Sequence, residues 1–200
     1  MREFQMMLSH AAYERDQRIG LTPEEATVRG LIFNSVFKLV ASHQGEAVAE
    51  ALRSLISKKP LVDFFSYPAR DFLKILYGAA ERLTPRYGTM EAAIQACGAA
   101  AVSGFFNSQV GKTLTNIIGK GNPKRLFSSA PTAYSTTVSY GQRTCTPVGD
   151  RGVLLHFRGD MQPVEFHQGL LAEALRAVGC EGRVEVRKLS LDEAEYLIQW

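Results

Sequence analysis

In the first half of the chain, apolar positions recur every three to four residues, the period of a helix with one buried face. Val28, Ile32, Val36 and Val40 mark one such stripe, with Leu31, Ser35 and Leu39 beside it. Thr22-Pro23-Glu24-Glu25 offers this helix a start: a capping hydroxyl, a proline at the first helical position and the acid of a capping box. Gly30 within the stripe costs about 1 kcal/mol relative to alanine, which a close helix contact there would explain. Val48, Leu52, Leu55 and Ile56 predict a second helix, between Gly45 and Lys58-Lys59-Pro60. A third is predicted from Ser66-Tyr67-Pro68, with Phe72, Leu76, Ala79, Ala80 and Leu83 on one face and Thr84-Pro85 as its stop. The fourth starts near Thr89 and is crowded with small residues, among them Ala92, Ala93, Ala96, Gly98 and Ala101, which let a neighbouring helix come close. It runs on, with a break, toward Ile118, and Gly119-Lys120-Gly121-Asn122-Pro123 closes the segment.

From about Ala133 the period changes. Residues 134–140 are β-branched and aromatic and predict a strand that residues 144–148 continue. After the turn signal Asp150-Arg151-Gly152, Val153, Leu155 and Phe157 alternate with Leu154, His156 and Arg158. Pro163 opens a helix carrying Phe166, Leu170, Leu171, Ala174, Leu175 and Val178, and Gly179 ends it. Residues 183–188 alternate as a half-buried strand does, and Tyr196, Ile198 and Trp200 predict a last strand. Ser190-Leu191-Asp192-Glu193 also fits a capping box, but too few residues follow to sustain a helix. The predicted fold is α/β of the α+β kind: N-terminal helices packed on an antiparallel sheet of ββαββ order. Residues 1–21, mixed in charge and weakly periodic, read as an arm, and residues 22–200 as a single domain.

Composition adds limits. The 200 residues carry a formal net charge of +3, with 46% hydrophobic and 22% charged residues, an ordinary globular balance that argues against wholesale disorder. The apolar runs are too short for a membrane span, and the first residues lack a signal-peptide pattern. Three cysteines (Cys97, Cys145, Cys180), far apart and without a C-x-x-C, predict reduced thiols in the cytoplasm.

Five segments follow in a characteristic order. They are Val28-Arg29-Gly30-Leu31-Ile32-Phe33-Asn34, Tyr67-Pro68, the small-residue helix with Gly98 and Phe105-Phe106, residues 169–175, and residues 196–200. This order resembles the myxobacterial (Myxococcus) paralogous family of uncharacterised proteins of about 200 residues, which has no settled activity. It resembles more distantly the haem–nitric oxide/oxygen binding, four-vinyl-reductase and TRAPP-subunit-type ligand domains. The likeness spans roughly residues 27–200. It implies an apolar pocket between helices and sheet, walled by Phe33, Phe37, Phe72, Leu76, Phe105 and Phe106. Haem-binding relatives hold iron with a histidine after the long fourth helix and the propionates with a Tyr-x-Ser-x-Arg motif. Here residues 124–139 contain no histidine, and Leu155-His156-Phe157-Arg158-Gly159 lacks the tyrosine and serine, leaving Arg158 as the one match. No cofactor is expected.

Other chemistry is sparse. Gly111-Lys112-Thr113 has Phe106 where a phosphate loop needs its first glycine, and reads as a helix surface with a lysine. His156, Asp160, Glu165 and His167 are residue types that suit zinc or iron, at a spacing that matches no metal signature. There is no Gly-x-Ser-x-Gly elbow. Residues 92–149 contain no acid but include Lys112, Lys120, Lys124, Arg125 and Arg143. That asymmetry suits an anion-binding face, with Lys124 and Arg125 foremost and Phe127, Tyr134 and Tyr140 available to stack on bases. It equally suits a buried small-residue helix followed by a Ser/Thr-rich sheet. The favoured function is a non-catalytic sensory or interaction domain, a homodimer binding a small, partly apolar ligand or a protein partner. Its candidate contacts are Phe33, Phe37, Phe72, Phe105, Phe106, Lys124, Arg125, His156, Arg158 and His167, with no catalytic or metal residue assigned. The alternatives are a metal-dependent enzyme using His156 and His167, and a nucleotide or nucleic-acid binder using the basic stretch.

Overall fold

The computed structural model describes residues 2–107, 111–113 and 122–200, with side chains from residue 10 onward. Helix α1 (Arg2–Leu21) precedes strand β1 (Thr27–Arg29), α2 (Gly30–Gln44), α3 (Glu46–Arg53), β2 (Ser66–Pro68), α4 (Ala69–Tyr87) and α5 (Met90–Asn107). Two short helices, α6 (Pro123–Ser128) and α7 (Ala130–Thr137), lead into β3 (Gln142–Pro147), β4 (Gly152–Arg158), α8 (Val164–Ala177), β5 (Arg183–Lys188) and β6 (Glu193–Gln199). The last four strands form one antiparallel sheet in the order β3-β4-β6-β5, and β1 pairs with β2 in a separate antiparallel ribbon. The ββαββ half is therefore as the alternation predicts, and residues 193–199 are strand rather than helix.

The sheet has two unlike faces. Val153, Leu155, Phe157, Ala194, Tyr196 and Ile198 are buried under the helices. The alternate positions, among them His156, Arg158, Glu193 and Glu195, lie on the other face and form ion pairs across the strands. Trp200 sits just beyond β6, half-buried and stacked on Phe127 at 6.2 Å.

Helix α5 meets α8 through reciprocal glycines. A Cβ on Gly98 would lie 1.9 Å from the Phe166 carbonyl oxygen, and one on Gly169 would lie 1.9 Å from that of Gln95. Both distances are far inside van der Waals contact, so only glycine lets these backbones touch. The small-residue signal in α5 has this cause.

Several boundaries differ from the sequence expectation. Thr22 does not cap α2; its hydroxyl donates to the Arg18 carbonyl at the end of α1, 2.7 Å away. Val28 instead pairs with Tyr67 in the β ribbon, and α2 begins only at Gly30. Gly30 is explained by a loop rather than a helix, since a Cβ there would lie 2.2 Å from the Val62 carbonyl oxygen. The second helix stops at Arg53, short of the lysines. Helix α4 passes through Pro85 and ends at Gly88, whose φ of 89° is the left-handed conformation that favours glycine. The largest correction is residues 134–137, which are helical, not extended. The hydroxyls of Ser135, Thr136 and Thr137 donate to carbonyls three residues back, which satisfies them inside α7. Packing of Tyr134 into the core overrides β propensity here. Of the predicted continuation toward Ile118, residues 111–113 are helical and the rest lies outside the described residues.

Helix α1 is tied to the body of the fold. Arg18 is buried, and its guanidinium donates to the carbonyls of Met161, Gln162 and Leu191 at 3.3, 3.2 and 2.8 Å. Glu14, one turn earlier, pairs with the same guanidinium at 2.8 Å. No described helix is long and apolar enough to cross a membrane.

Candidate functional site

Between α5, α7 and α8 lies a cleft of apolar space, and a buried polar cluster stands beside it against the inner face of the sheet. Two small cavities occupy it, of about 80 and 70 Å³. They share Val102, Phe105, Ala133, Tyr134 and Leu170 as walls. Ile32, Ala101 and Thr137 complete the first, and Phe106, Leu126, Phe127 and Ala174 are among the walls of the second. The lining is almost entirely hydrocarbon and aromatic.

Tyr134 links these cavities to the polar cluster. Its hydroxyl lies 3.0 Å from Nδ1 of His167, which projects from the first turn of α8. On the far side of the imidazole, Nε2 stands 3.2 Å from Asp160 Oδ1, at an angle outside hydrogen-bond geometry. Asp160 also receives the Gln162 N–H at 3.0 Å and pairs with the Arg143 guanidinium. Arg143 in turn donates to the Tyr140 carbonyl and lies over the Tyr134 ring, 4.6 Å from its centroid. Rings of Tyr134, Phe157, Phe166 and Tyr196 surround the imidazole, with centroids 5.0–5.7 Å away.

The electrostatics follow from this packing. Burial disfavours the Asp160 carboxylate, but the charges of His167 and Arg143 and the hydrogen bonds outweigh it and hold its pKa well below the usual range. Burial pushes the Tyr134 hydroxyl well above its ordinary value, with Arg143 opposing and Asp160 adding. Burial pushes the Cys97 thiol up to about 12, so it is a poor nucleophile at neutral pH.

The predicted site residues separate into groups. Phe105 and Phe106 do line the cleft. Phe33, Phe37 and Phe72 do not: they are packed in the helical core, where Phe72 bridges Phe33 and Phe166 by edge-on contacts at 5.1 and 5.6 Å. Leu76 is likewise fully buried in the core. His167 borders the cleft through Tyr134. His156 and Arg158 are on the opposite face of the sheet, both facing Glu193, at 2.8 and 3.4 Å. The sheet therefore separates His156 from His167, and the four-residue cluster does not converge. Among the described residues, no group of three or more His, Cys, Asp or Glu side chains is placed to hold a metal ion. Lys124 and Arg125 are exposed on α6, whereas Arg143 is buried against Asp160 and gives no charge to a surface. Lys120 lies outside the described residues. Sequence reasoning missed Arg143 and Tyr134 as members of the site. Their alternation and composition read as strand and surface, and nothing local marks a pairing with Asp160 or His167.

Residues 22–200 match the family described as "Protein of unknown function (DUF2378)". The chain belongs to that family. No curated protein matches it. Among solved structures, the chain is similar to an H-NOX protein from S. oneidensis in the Fe(II) ligation state (TM-score 0.70, 14% identity, 86% of this chain and 95% of that one). It is also similar to the NMR structure of an H-NOX domain from Shewanella oneidensis in the Fe(II)CO state (TM-score 0.68, 16% identity, 86% and 97% covered). A third is the Fe(II) unliganded H-NOX protein from K. algicida (TM-score 0.65, 12% identity, 86% and 95% covered). At these identities the likeness establishes an H-NOX-like α+β fold.

Such a fold raises the question of haem, and the described residues do not fit one. Of the four histidines in the chain, His43 pairs with Tyr87, His156 lies on the far face of the sheet, and His10 is on α1. His167 has one ring nitrogen on Tyr134 and the other facing Asp160. Tyr134, hydrogen-bonded and with its phenolate strongly disfavoured, is no better as an axial ligand. The cavities, of about 80 and 70 Å³, are well below the roughly 300–1,000 Å³ of sites for cofactor-sized molecules. Beside them the rings of Tyr134 and His167 each pack edge-on or tilted against Phe157 or one another, with centroids 5.0–5.7 Å apart.

Proposed function

We propose that this protein is a non-catalytic sensory or interaction module that takes a small apolar ligand, and no haem, in the cleft between α5, α7 and α8. One observation carries the reading: two adjoining apolar cavities share a wall residue, Tyr134, that is itself hydrogen-bonded to His167. A dry, hydrocarbon-lined cavity of about 150 Å³ is known to admit benzene or xenon, and the two spaces together approach that size. Entry of a ligand would press on Tyr134 and so on its bond to His167, passing occupancy to α8 and the sheet. The state change is a repacking of Tyr134, with no bond made or broken.

The setting is supported by the three free cysteines, which suit a reducing compartment such as the cytoplasm. The motif order supports membership of the myxobacterial paralogous group, and the protein is proposed to be a homodimer. Native mass spectrometry of the purified protein tests these points together. The expected spectrum is a dimer without an added haem mass that gains mass on exposure to benzene or indole. A stoichiometric haem, or no uptake of either probe, would overturn the reading.

A further inference from the structure

Away from the cleft, the turn between α3 and β2 exposes side chains that serve nothing in the fold. Phe64 and Phe65 are 75% and 62% exposed, and Val62 beside them is 45% exposed. Adjacent phenylalanines this open to solvent are unusual on a rigid segment, because their rings make few contacts with their own chain.

The backbone beneath them is firmly held. Gly30 N–H donates to the Phe65 carbonyl at 2.8 Å, Leu31 N–H to the Asp63 carbonyl at 3.1 Å, and Phe65 N–H to the Val62 carbonyl at 3.1 Å. Val62 N–H donates to the Tyr67 hydroxyl at 2.8 Å, and the Arg29 guanidinium to the Phe64 carbonyl at 2.6 Å. The amide of Asn34 donates to the Leu61 carbonyl at 2.9 Å and to the Asp63 carboxylate at 2.7 Å. Gly30 allows the turn to lie directly on the start of α2. The exposure of the rings is thus a consequence of built geometry.

Charge indicates what these rings meet. Lys58 and Lys59 precede them, both exposed and without an acidic partner among the described residues. The one acid of the segment, Asp63, is engaged by Asn34. A protruding apolar tip flanked by free ammonium groups matches the headgroup boundary of an anionic bilayer. There the rings enter the glycerol and upper acyl region while the lysines stay among the phosphates. A peptide partner would need a groove, and residues this exposed do not line one.

We propose that the 58–65 turn is a peripheral membrane contact, with Phe64 and Phe65 inserting into the surface of an anionic bilayer and Lys58 and Lys59 binding its headgroups. This is independent of what occupies the cleft. The test is sedimentation of the full chain with vesicles of phosphatidylcholine alone and of phosphatidylcholine with phosphatidylserine. Wild-type protein should co-sediment with the anionic vesicles, and less as salt is raised. The Phe64→Ala/Phe65→Ala variant should lose affinity by about tenfold or more, and Lys58→Gln/Lys59→Gln should lose the preference for anionic lipid. Both variants change exposed side chains, so their circular dichroism and melting should match wild type. As a second readout, a Phe64→Trp variant should gain emission quenched by bromine-labelled acyl chains. The proposal falls if the protein ignores both vesicles, as it would if the tip docked on an acidic protein instead. It also falls if the phenylalanine variant sediments like wild type, or if the new tryptophan is not quenched.

Discussion

The hydroxyl of Tyr134 lies 3.0 Å from Nδ1 of His167, which places a wall of the apolar cleft in contact with a buried ionic cluster. On the opposite edge of the imidazole, Asp160 faces Nε2 at 3.2 Å and is itself paired with Arg143. From one side chain Tyr134 thus touches His167 of α8, Arg143 of β3 and Phe157 of β4.

Removing one member of this cluster should be costly. Arg143→Ala leaves the Asp160 carboxylate without its guanidinium partner in a buried site, an effect typically of about 3–5 kcal/mol. We expect a large fall in melting temperature by calorimetry. A fall of only a degree or two would mean that water reaches the cluster.

The same pair gives a pH signature. The folded-state pKa of Asp160 is depressed, so its stabilisation is present above the unfolded carboxylate value of about 3.9 and is lost as pH falls through the lower folded value. Wild type should exceed Asp160→Asn in stability most clearly near neutral pH. The difference should shrink in strong acid, as read by urea unfolding at a series of pH values. A pH-independent difference would assign the loss to packing alone.

The α5–α8 contact makes a separate prediction. Gly98→Ala drives a methyl into the Phe166 carbonyl, 1.9 Å from the ideal Cβ position, so the helices must separate. Destabilisation of about 1–3 kcal/mol or more is expected from chemical denaturation, whereas Gly20→Ala, in α1 and meeting nothing within 4 Å, should be neutral or stabilising by up to about 1 kcal/mol.

Cysteine reactivity offers a probe of packing. Cys97 is buried with its thiol pushed up to about 12, while Cys145 and Cys180 are half-buried. In native protein at mildly alkaline pH, a thiol reagent should label Cys145 and Cys180 first. Cys97 should react only on unfolding, as peptide mass mapping would show.

Much of the fold was legible because it rests on local periodicity. Strict alternation in residues 153–158 and 194–199 marks strands with one buried face, and the small residues of α5 announce a close helix contact. The site was less legible. Residues 134–137 have the composition of a strand, yet they are helical, and from α7 Tyr134 packs against Phe157 and His167, contacts that no local pattern announces. Arg143 reads as surface charge, and only the register of β3 against β4, with Arg143 opposite Phe157, brings it over the buried cluster. His156 and His167 are close in sequence but separated by the sheet, a division that strand alternation alone could not reveal. Phe33 and Phe72 have the residue type of pocket walls, but packing against Tyr67 and Phe166 leaves them no free face to present.

The most direct test of a small-ligand cleft without haem is diffraction from crystals held under xenon. We predict an anomalous peak among Val102, Phe105, Ala133 and Tyr134, absent when Ala133→Leu fills the space. A crystal with no xenon at that position, or with an iron porphyrin seated in the cleft, would contradict it.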